Sequence, residues 1–533
     1  MVFVAILLQW NLPPCFLAFS GFYNPEPVFF YFEVPILRSL LGDLLAQRLA
    51  SLSGGTLNKR LYDVLQAAIQ DGSIATATRL PASRDLAREL SVSRNTVLAV
   101  YEQLQSEGYV QTRTGSGTFV STVLPEQVPG EPMIRPVTPP MKPVRLSRRG
   151  SRLLASSGAG SHQWGAFMPG VPDVSHMPHD IWRKIQLRLS RRLPVENLSY
   201  ASHGGCVELQ QALADYLRVI RSVNCTPEQV LITAGTHQSL DLLAKMLCDP
   251  GDRAIVEEPG YWGIRNVLAV NGVTLIPTQV DDQGLVLPPE QPDSPVPRLI
   301  CVTPSHQYPL GAVMSLQRRH ELLERAKSSG SWVVEDDYDG EFRFTGSPIP
   351  ALQGLAADAP VIYLGTFSKT LYPGIRLSYM VVPKSLAARM KMAHSELYRG
   401  GYGLVQLTLA EFIREGHYAA HVRRMRQIYS RRRAALVEVI STSLGADWIV
   451  HHSNAGLHLV LRLPDSIDDV AFSAELEQCG VLTRPLSSYY LRGTPQRGLL
   501  LGYACVDEAA IPAAFAPILT RLQHHLQVAS VSP

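Results

Sequence analysis

No two cysteines of this chain stand in a C-x-x-C pair, and the seven present, from Cys15 to Cys505, follow no metal-ligand spacing. That argues against a zinc site or a disulfide framework and points to a reducing cytoplasm. Net charge is scarce as well: 49 Lys and Arg against 46 Asp and Glu leave +3 over 533 residues. This is too little for the chain as a whole to grip a polyanion, so any contact with nucleic acid has to come from a local patch. Unbroken hydrophobic runs are also missing. In the leader MVFVAILLQWNLPPCFLAFSGFYNPEPVFFYF, Gln9, Asn11, Pro13 and Pro14 cut the apolar stretch short of the roughly twenty residues that a membrane span needs. No Lys or Arg precedes Arg38, so the leader lacks the basic start of a secretion signal. Residues 1–36 read as an apolar leader upstream of the natural start, and no membrane partner is expected. There is no internal repeat.

What the chain does have is length for at least two cores, since single cores stop growing near about 250–300 residues. Residues 37–122 read as a small helical domain, with amphipathic runs at Leu57–Ile69, Ser83–Leu90 and Arg94–Gln105 and a hairpin after them. Ser83 and Ser93 each precede an apolar-periodic segment and are placed to cap it. Residues 123–160 hold Pro125, Pro129, Pro132, Pro136, Pro139, Pro140 and Pro143, then Arg145, Arg148, Arg149 and Arg152. This reads as an extended basic linker, stiffened by proline. In residues 161–530, short β-prone runs alternate with helical patterns: Val230–Thr233, Ala254–Glu257, Thr274–Pro277, Leu299–Thr303, Trp332–Glu335, Val361–Thr366 and Ser378–Val382. The alternation predicts an α/β fold with a doubly wound, mostly parallel sheet, and Gly456–Leu463 and Gly498–Ala504 predict strands of a smaller C-terminal subdomain. Ligands of such sheets lie outside the carboxyl ends of the strands, so the polar residues that follow each run are the candidates.

The segment LPASRDLARELSVSRNTVLAVYEQLQSEGYVQTRTGSGTFV, Leu80 to Val120, resembles the winged helix-turn-helix of the GntR family along its whole length. The resemblance implies that Arg84 opens the first helix against the DNA backbone. It also implies that Ser93, Arg94, Asn95 and Thr96 start a recognition helix in the major groove, and that Gly115 lies at the tip of the wing. Arg94 can grip guanine or phosphate as a fork, and Asn95 can pair bidentately with adenine.

Several later windows resemble fold-type I aminotransferases, which hold pyridoxal 5'-phosphate (PLP). In VIYLGTFSKTLYPGIRLSYMVVP, the resemblance makes Lys369 the Schiff-base lysine and Thr366 and Arg376 phosphate ligands. In SWVVEDDYDGEFRF it makes Asp336 the partner of the pyridine nitrogen and Tyr338 the donor to the ring hydroxyl oxygen; Asp337 and Asp339 are alternatives for the carboxylate. LITAGTHQSLDLLAKML runs from a strand through Gly235 into a helix start that suits an anion, where Thr236 and His237 match phosphate ligands. EEPGYWG supplies Tyr261 to stack on the ring, with Trp262 as its rival. TPSHQYPLG, Thr303 to Gly311, resembles the Asn-Pro-x-Gly loop of the enzymes but has Tyr308 in the slot of the Asn, leaving Gln307 or His306 to replace it. Arg497, ahead of GLLLGYA, fits the arginine that binds an effector carboxylate, with a surface role as its competitor. No metal site is expected.

A winged helix fused ahead of an aminotransferase-like domain is the arrangement of the MocR subfamily of GntR regulators. The resemblance implies a cytoplasmic, homodimeric transcription regulator with PLP held on Lys369 as an internal aldimine. Its implied partners are a double-stranded DNA operator with repeated half-sites and an effector that is a small amino compound or PLP itself. Two other readings stay open: an aminotransferase with an appended DNA-binding domain, and a regulator whose second domain is a scaffold without cofactor.

Overall fold

The structure, a computed structural model, describes residues 40–52, 54–113, 116–122, 145–155, 164–195, 199–200, 204–289, 295–346, 349–356, 358–450 and 454–531. The leader assigned to residues 1–36 and Gly115 at the ribbon tip lie outside them. The chain divides into two units, Met1–Pro143 and Val144–Pro533.

The first unit comprises helices Leu40–Ser51, Leu57–Gln70, Ser83–Leu90 and Arg94–Ser106, followed by strands β1 (Val110–Arg113) and β2 (Gly117–Val120). Helix Arg94–Ser106 buries Val97, Val100, Tyr101 and Leu104, the i, i+3, i+4, i+7 stripe of a one-sided helix. That stripe joins Leu61, Val64, Leu65 and Leu86 in one core. Ser93 caps the helix, its Oγ accepting from the Thr96 amide at 3.1 Å. Ser83 does not cap: Ala82 holds the extended N-cap position and Ser83 is already helical. Its Oγ instead lies 3.4 Å from Arg94 Nε, a contact between the two helices. β1 and β2 pair antiparallel, with Val110 opposite Val120.

In the second unit, strands β3 (Val230–Thr233), β4 (Arg253–Glu258), β5 (Thr274–Asp281), β6 (Gly284–Leu285), β7 (Leu299–Val302), β8 (Trp332–Asp337), β9 (Val361–Thr366) and β10 (Ser378–Val381) form one sheet in the order β3-β10-β9-β8-β7-β4-β5-β6. β9, β8, β7, β4 and β5 run parallel, while β10 and β6 are antiparallel to their neighbours. β3, β7, β9 and β10 are buried along their whole length. Burial on both faces is why these strands appear as continuous apolar runs instead of alternating ones. A second, antiparallel sheet holds β11 (Ile449–Val450), β12 (His458–Arg462), β13 (Arg484–Pro485) and β14 (Gly498–Gly502) in the order β11-β12-β14-β13. Helices His417–Ser443 and Ile511–Val531 contribute Leu436, Ile440, Phe515 and Ile518 to its core. The chain segment around Phe167 ties onto this sheet, Gly502 N donating to Phe167 O at 2.8 Å and Leu482 N to Ala166 O at 3.0 Å.

The basic end of the expected linker is not extended: Arg148–Ala155 is a helix. The run from Val144 to Met168 contains no proline, and Ser147 Oγ accepts from the Gly150 amide at 3.0 Å to start the turn. Among the described residues no helix is long and apolar enough to cross a membrane, and no group of His, Cys, Asp and Glu is arranged to hold a metal ion.

Lys369 follows the carboxyl end of β9, whose Leu364 is 1% exposed. Leu364→Ala is expected to destabilise the protein by about 2–5 kcal/mol through lost burial and a residual cavity. Urea denaturation checks this as a lowered midpoint at unchanged slope.

Candidate functional site

The carboxyl ends of the parallel strands, together with the C-terminal sheet, enclose a cavity of about 320 Å³. Thr236, His237, Tyr261, Asp336, Tyr338, Thr366, Lys369 and Arg376 all line it. Each sits just beyond or at the end of a strand, or, for Arg376, just before the antiparallel β10. Lys369 Nζ donates to Gly170 O at 2.7 Å. Burial lowers the pKa of this amine, against the opposing pull of Asp339 and Asp336.

The three carboxylates at the end of β8 take different roles. Asp337 turns away from the cavity, its Oδ2 accepting from Arg221 Nε at 2.7 Å and from the Tyr363 hydroxyl at 2.6 Å. Asp339 lies 3.0 Å from His306 Nδ1 and is outside the lining. Asp336 faces the cavity, and its Oδ1 is buried with no hydrogen-bond partner. Burial, with the nearby Asp337 and Asp339 charges, pushes its carboxyl up to about 7. A buried carboxylate oxygen left without a donor is costly, and a donor bound in the cavity relieves it.

At the other end the walls suit an anion. Gly235 precedes helix Thr236–Leu247 with φ +141°, and a Cβ there would stand 2.8 Å from Arg376 Nη2. The guanidinium therefore lies against the helix start, whose first amides have no intrahelical acceptor. No salt bridge among the described residues neutralises Arg376, which itself holds the left-handed conformation at φ +52°. Thr366 Oγ1 accepts from Ser378 Oγ at 2.8 Å and from the Ser368 amide at 3.2 Å, leaving its own proton to give. Burial and then Arg376 lower the pKa of His237, which favours a neutral ring.

The side walls are aromatic. His237 and Tyr261 lie nearly parallel, centroids 6.0 Å apart and 10° between planes, and Trp262 also lines the cavity. Neither Gln307 nor His306 lines the cavity. Gln307 Nε2 is spent on Pro259 O at 2.9 Å and Tyr308 O at 2.8 Å, and His306 lies behind Tyr338. Tyr308 lines the cavity and shares a hydrogen bond with the Tyr489 hydroxyl at 3.0 Å. Arg497 is a correction: it is not in the lining, and its Nη1 meets Asp469 Oδ1 at 3.0 Å. Besides Arg376, the arginine that lines the cavity is Arg484, opposite Leu500 in the β13–β14 ladder.

On the first unit, Arg84, Ser93, Arg94 and Asn95 are exposed and Thr96 is half-buried. The last three begin helix Arg94–Ser106, and the Thr96 hydroxyl lies 3.1 Å from Ser93 Oγ. Exposed side chains at the N-terminus of the second helix of such a pair are those that reach base edges.

Residues 57–120 match the bacterial regulatory proteins of the gntR family, and residues 173–516 match aminotransferase class I and II. The probable rhizopine catabolism regulatory protein MocR of Rhizobium meliloti is 40% identical over 453 residues, covering 85% of this chain and 90% of the relative. The chain belongs to the MocR-type regulators of the gntR family. Other MocR-type relatives include the transcriptional regulator TauR of Rhodobacter capsulatus, 32% identical across 88% of this chain and 97% of its own. The pyridoxine biosynthesis regulator PdxR of Corynebacterium glutamicum is 30% identical across 86% and 94%. Pyrococcus horikoshii kynurenine aminotransferase shares the fold, with a TM-score of 0.62 at 24% identity over 72% of this chain and 96% of that one. Membership of the aminotransferase class implies that a MocR-type chain binds PLP, and the cavity fits it. An orphaned acceptor at Asp336 suits a pyridinium N–H, the Gly235–Arg376 end suits a phosphate, and Lys369 lies in the same cavity.

The raised Asp336 pKa has a sign that can be checked. Without a ligand, the folded state holds this proton between the ordinary 3.8 and about 7 while the unfolded chain has lost it. Stability from this group is thus full below 3.8 and is lost as pH rises through about 7. Asp336→Asn is expected to flatten that fall in the PLP-free protein, read as the unfolding midpoint at pH 4.5, 6 and 7.5.

Proposed function

We propose that this MocR-type regulator senses an amino compound through PLP carried by Lys369, in the cytoplasm, and that its winged helix reads an operator accordingly. The observation that carries the reading is the placing of Lys369, the orphaned Asp336 oxygen and Arg484 around one cavity. When bound, PLP supplies a carbonyl carbon that takes a primary amine and a ring that draws in electrons. Lys369, lowered in pKa by burial, offers the resident amine, and an incoming amine competes for the same attachment. With the cofactor bound, Asp336 would hold the proton at the ring nitrogen, Tyr338 would donate to the ring oxygen, and Tyr261 and Trp262 would wall the ring. Arg484 receives a carboxylate if the effector carries one. The effector acts by binding the two states of the protein unequally. A homodimer on paired half-sites matches the two-fold logic of such operators. PLP itself is the second candidate effector, in line with the relative named for pyridoxine biosynthesis; operator affinity with and without PLP separates the two.

Three variants test this. Purified protein with PLP is expected to show the absorption band of lysine-linked cofactor, lost in Lys369→Ala and shifted by candidate amines. A wild type with no band leaves the scaffold reading, and steady conversion of an amino acid and a keto acid establishes the enzyme reading. Arg484→Ala is expected to weaken amino acids by about tenfold or more, the scale of a charged hydrogen bond, and to leave amines without a carboxylate unchanged. Arg94→Ala is expected to cost about 1–3 kcal/mol of operator binding, measured by fluorescence anisotropy at fixed salt.

A further inference from the structure

Two buried side chains that do not line the cavity converge on a hydroxyl that does. His306 Nδ1 lies 2.9 Å from the Tyr338 hydroxyl and 3.0 Å from Asp339 Oδ2. His306 is 3% exposed and Asp339 2% exposed. A carboxylate only accepts hydrogen bonds, so the Nδ1 that serves Asp339 carries a hydrogen and donates it. A nitrogen that carries its hydrogen in the ring plane cannot also accept the hydroxyl proton of Tyr338. The tyrosine oxygen is therefore an acceptor on its His306 side, and its own proton is turned elsewhere. Two acceptors are then open to that proton: the Asp339 carboxylate, which also bonds the hydroxyl, and a ligand in the cavity that Tyr338 lines.

We propose that Asp339 and His306 are a positioning pair that holds the Tyr338 oxygen as an acceptor, so that with PLP bound its proton goes to the ring oxygen of the cofactor. The inference rests on the PLP reading above. Packing holds the pair in place. Gly456 has φ +85°, and a Cβ there would stand 2.0 Å from His306 Cε1, so the chain closes directly on the imidazole. His458 lies beside His306, ring centroids 5.5 Å apart, with its Nε2 on Pro309 O at 2.9 Å. Burial holds His458 down to about 3, so it adds no charge there. The other groups facing Tyr338 are Asp336 from β8, Tyr308 from the 303–311 loop and Lys369 beyond β9. Burial raises the Tyr338 pKa well above 10, which keeps the hydroxyl protonated and able to donate.

The test reads the pH midpoint of the absorption band of the PLP-loaded protein, for wild type, Tyr338→Phe, Asp339→Asn and the double variant. Losing a donor to the ring oxygen makes the linked cofactor hold its proton to higher pH. Tyr338→Phe is expected to raise the midpoint by about one to two pH units. Asp339→Asn, which frees the imidazole to take the other tautomer and accept from Tyr338, is expected to shift it in the same direction. The double variant is expected to match Tyr338→Phe alone. An Asp339→Asn midpoint equal to wild type, or a double variant whose shifts add, overturns the pair. His306→Gln repeats the measurement from the other residue. Should these variants fail to fold, nitrogen-15 correlation spectra of the wild type report the His306 tautomer: hydrogen on Nδ1 supports the pair and hydrogen on Nε2 overturns it. A wild type without the band removes the PLP reading, and this inference falls with it. A normal band with an unmoved midpoint removes the inference alone.

Discussion

Arg221 and Asp337 meet at 2.7 Å with side chains 3% and 1% exposed, deep enough that neither charge has water to turn to. Arg221 also donates to Ser305 Oγ at 2.8 Å and to Ile349 O at 3.0 Å. Removing one member of such a pair leaves a buried charge, typically at a cost of about 3–5 kcal/mol. The geometry of the site follows from it. Successive strand residues face opposite sides of a sheet, so holding Asp337 on the Arg221 side turns Asp336 to the cavity. The tie to Ser305 fixes the 303–311 loop, and with it the places of His306 and Tyr308.

The same loop bears on the choice between sensing and turnover. Thr303 donates to Glu257 at 2.6 Å, Gln307 is consumed by backbone carbonyls, and Tyr308 is paired with Tyr489 across to the smaller sheet. These side chains are committed to holding the walls together. What faces the cavity is a cofactor cradle with an amine, an orphaned carboxylate and two arginines, Arg376 and Arg484, at distinct strand ends. That inventory suits capture of a small amine, and the winged helix of the same chain supplies an output that an enzyme does not need.

Much of this was legible in the sequence because burial on both faces writes a strand as an unbroken apolar run. Val230–Thr233 and Val361–Thr366 coincide with β3 and β9, and the residues singled out just beyond such runs line one cavity. What was not legible depends on partners distant along the chain. Arg497 precedes an apolar strand, yet Asp469, fully buried, takes it away from the cavity. Arg484 reaches the cavity from a two-residue strand whose register against Leu500 leaves no linear pattern; its sole sequence signal is an arginine closing the run VLTRP. Asp336 could not be separated from Asp337 by composition, since only the distant Arg221 distinguishes them. The Arg148–Ala155 helix was hidden by the prolines upstream of it.

The bond between Lys369 Nζ and Gly170 O spans 199 positions of sequence. It runs from beyond the carboxyl end of β9 in the large sheet to a segment that bridges, through Phe167, to Gly502 at the end of β14 in the small one. An amine joined to a carbonyl carbon has given up at least one hydrogen and can no longer swing freely between two neighbours. Lys369 is thus a clasp with a single hook. In the structure that hook is on Gly170, so one lysine bond fastens the end of β9 to the segment that pairs with the smaller sheet.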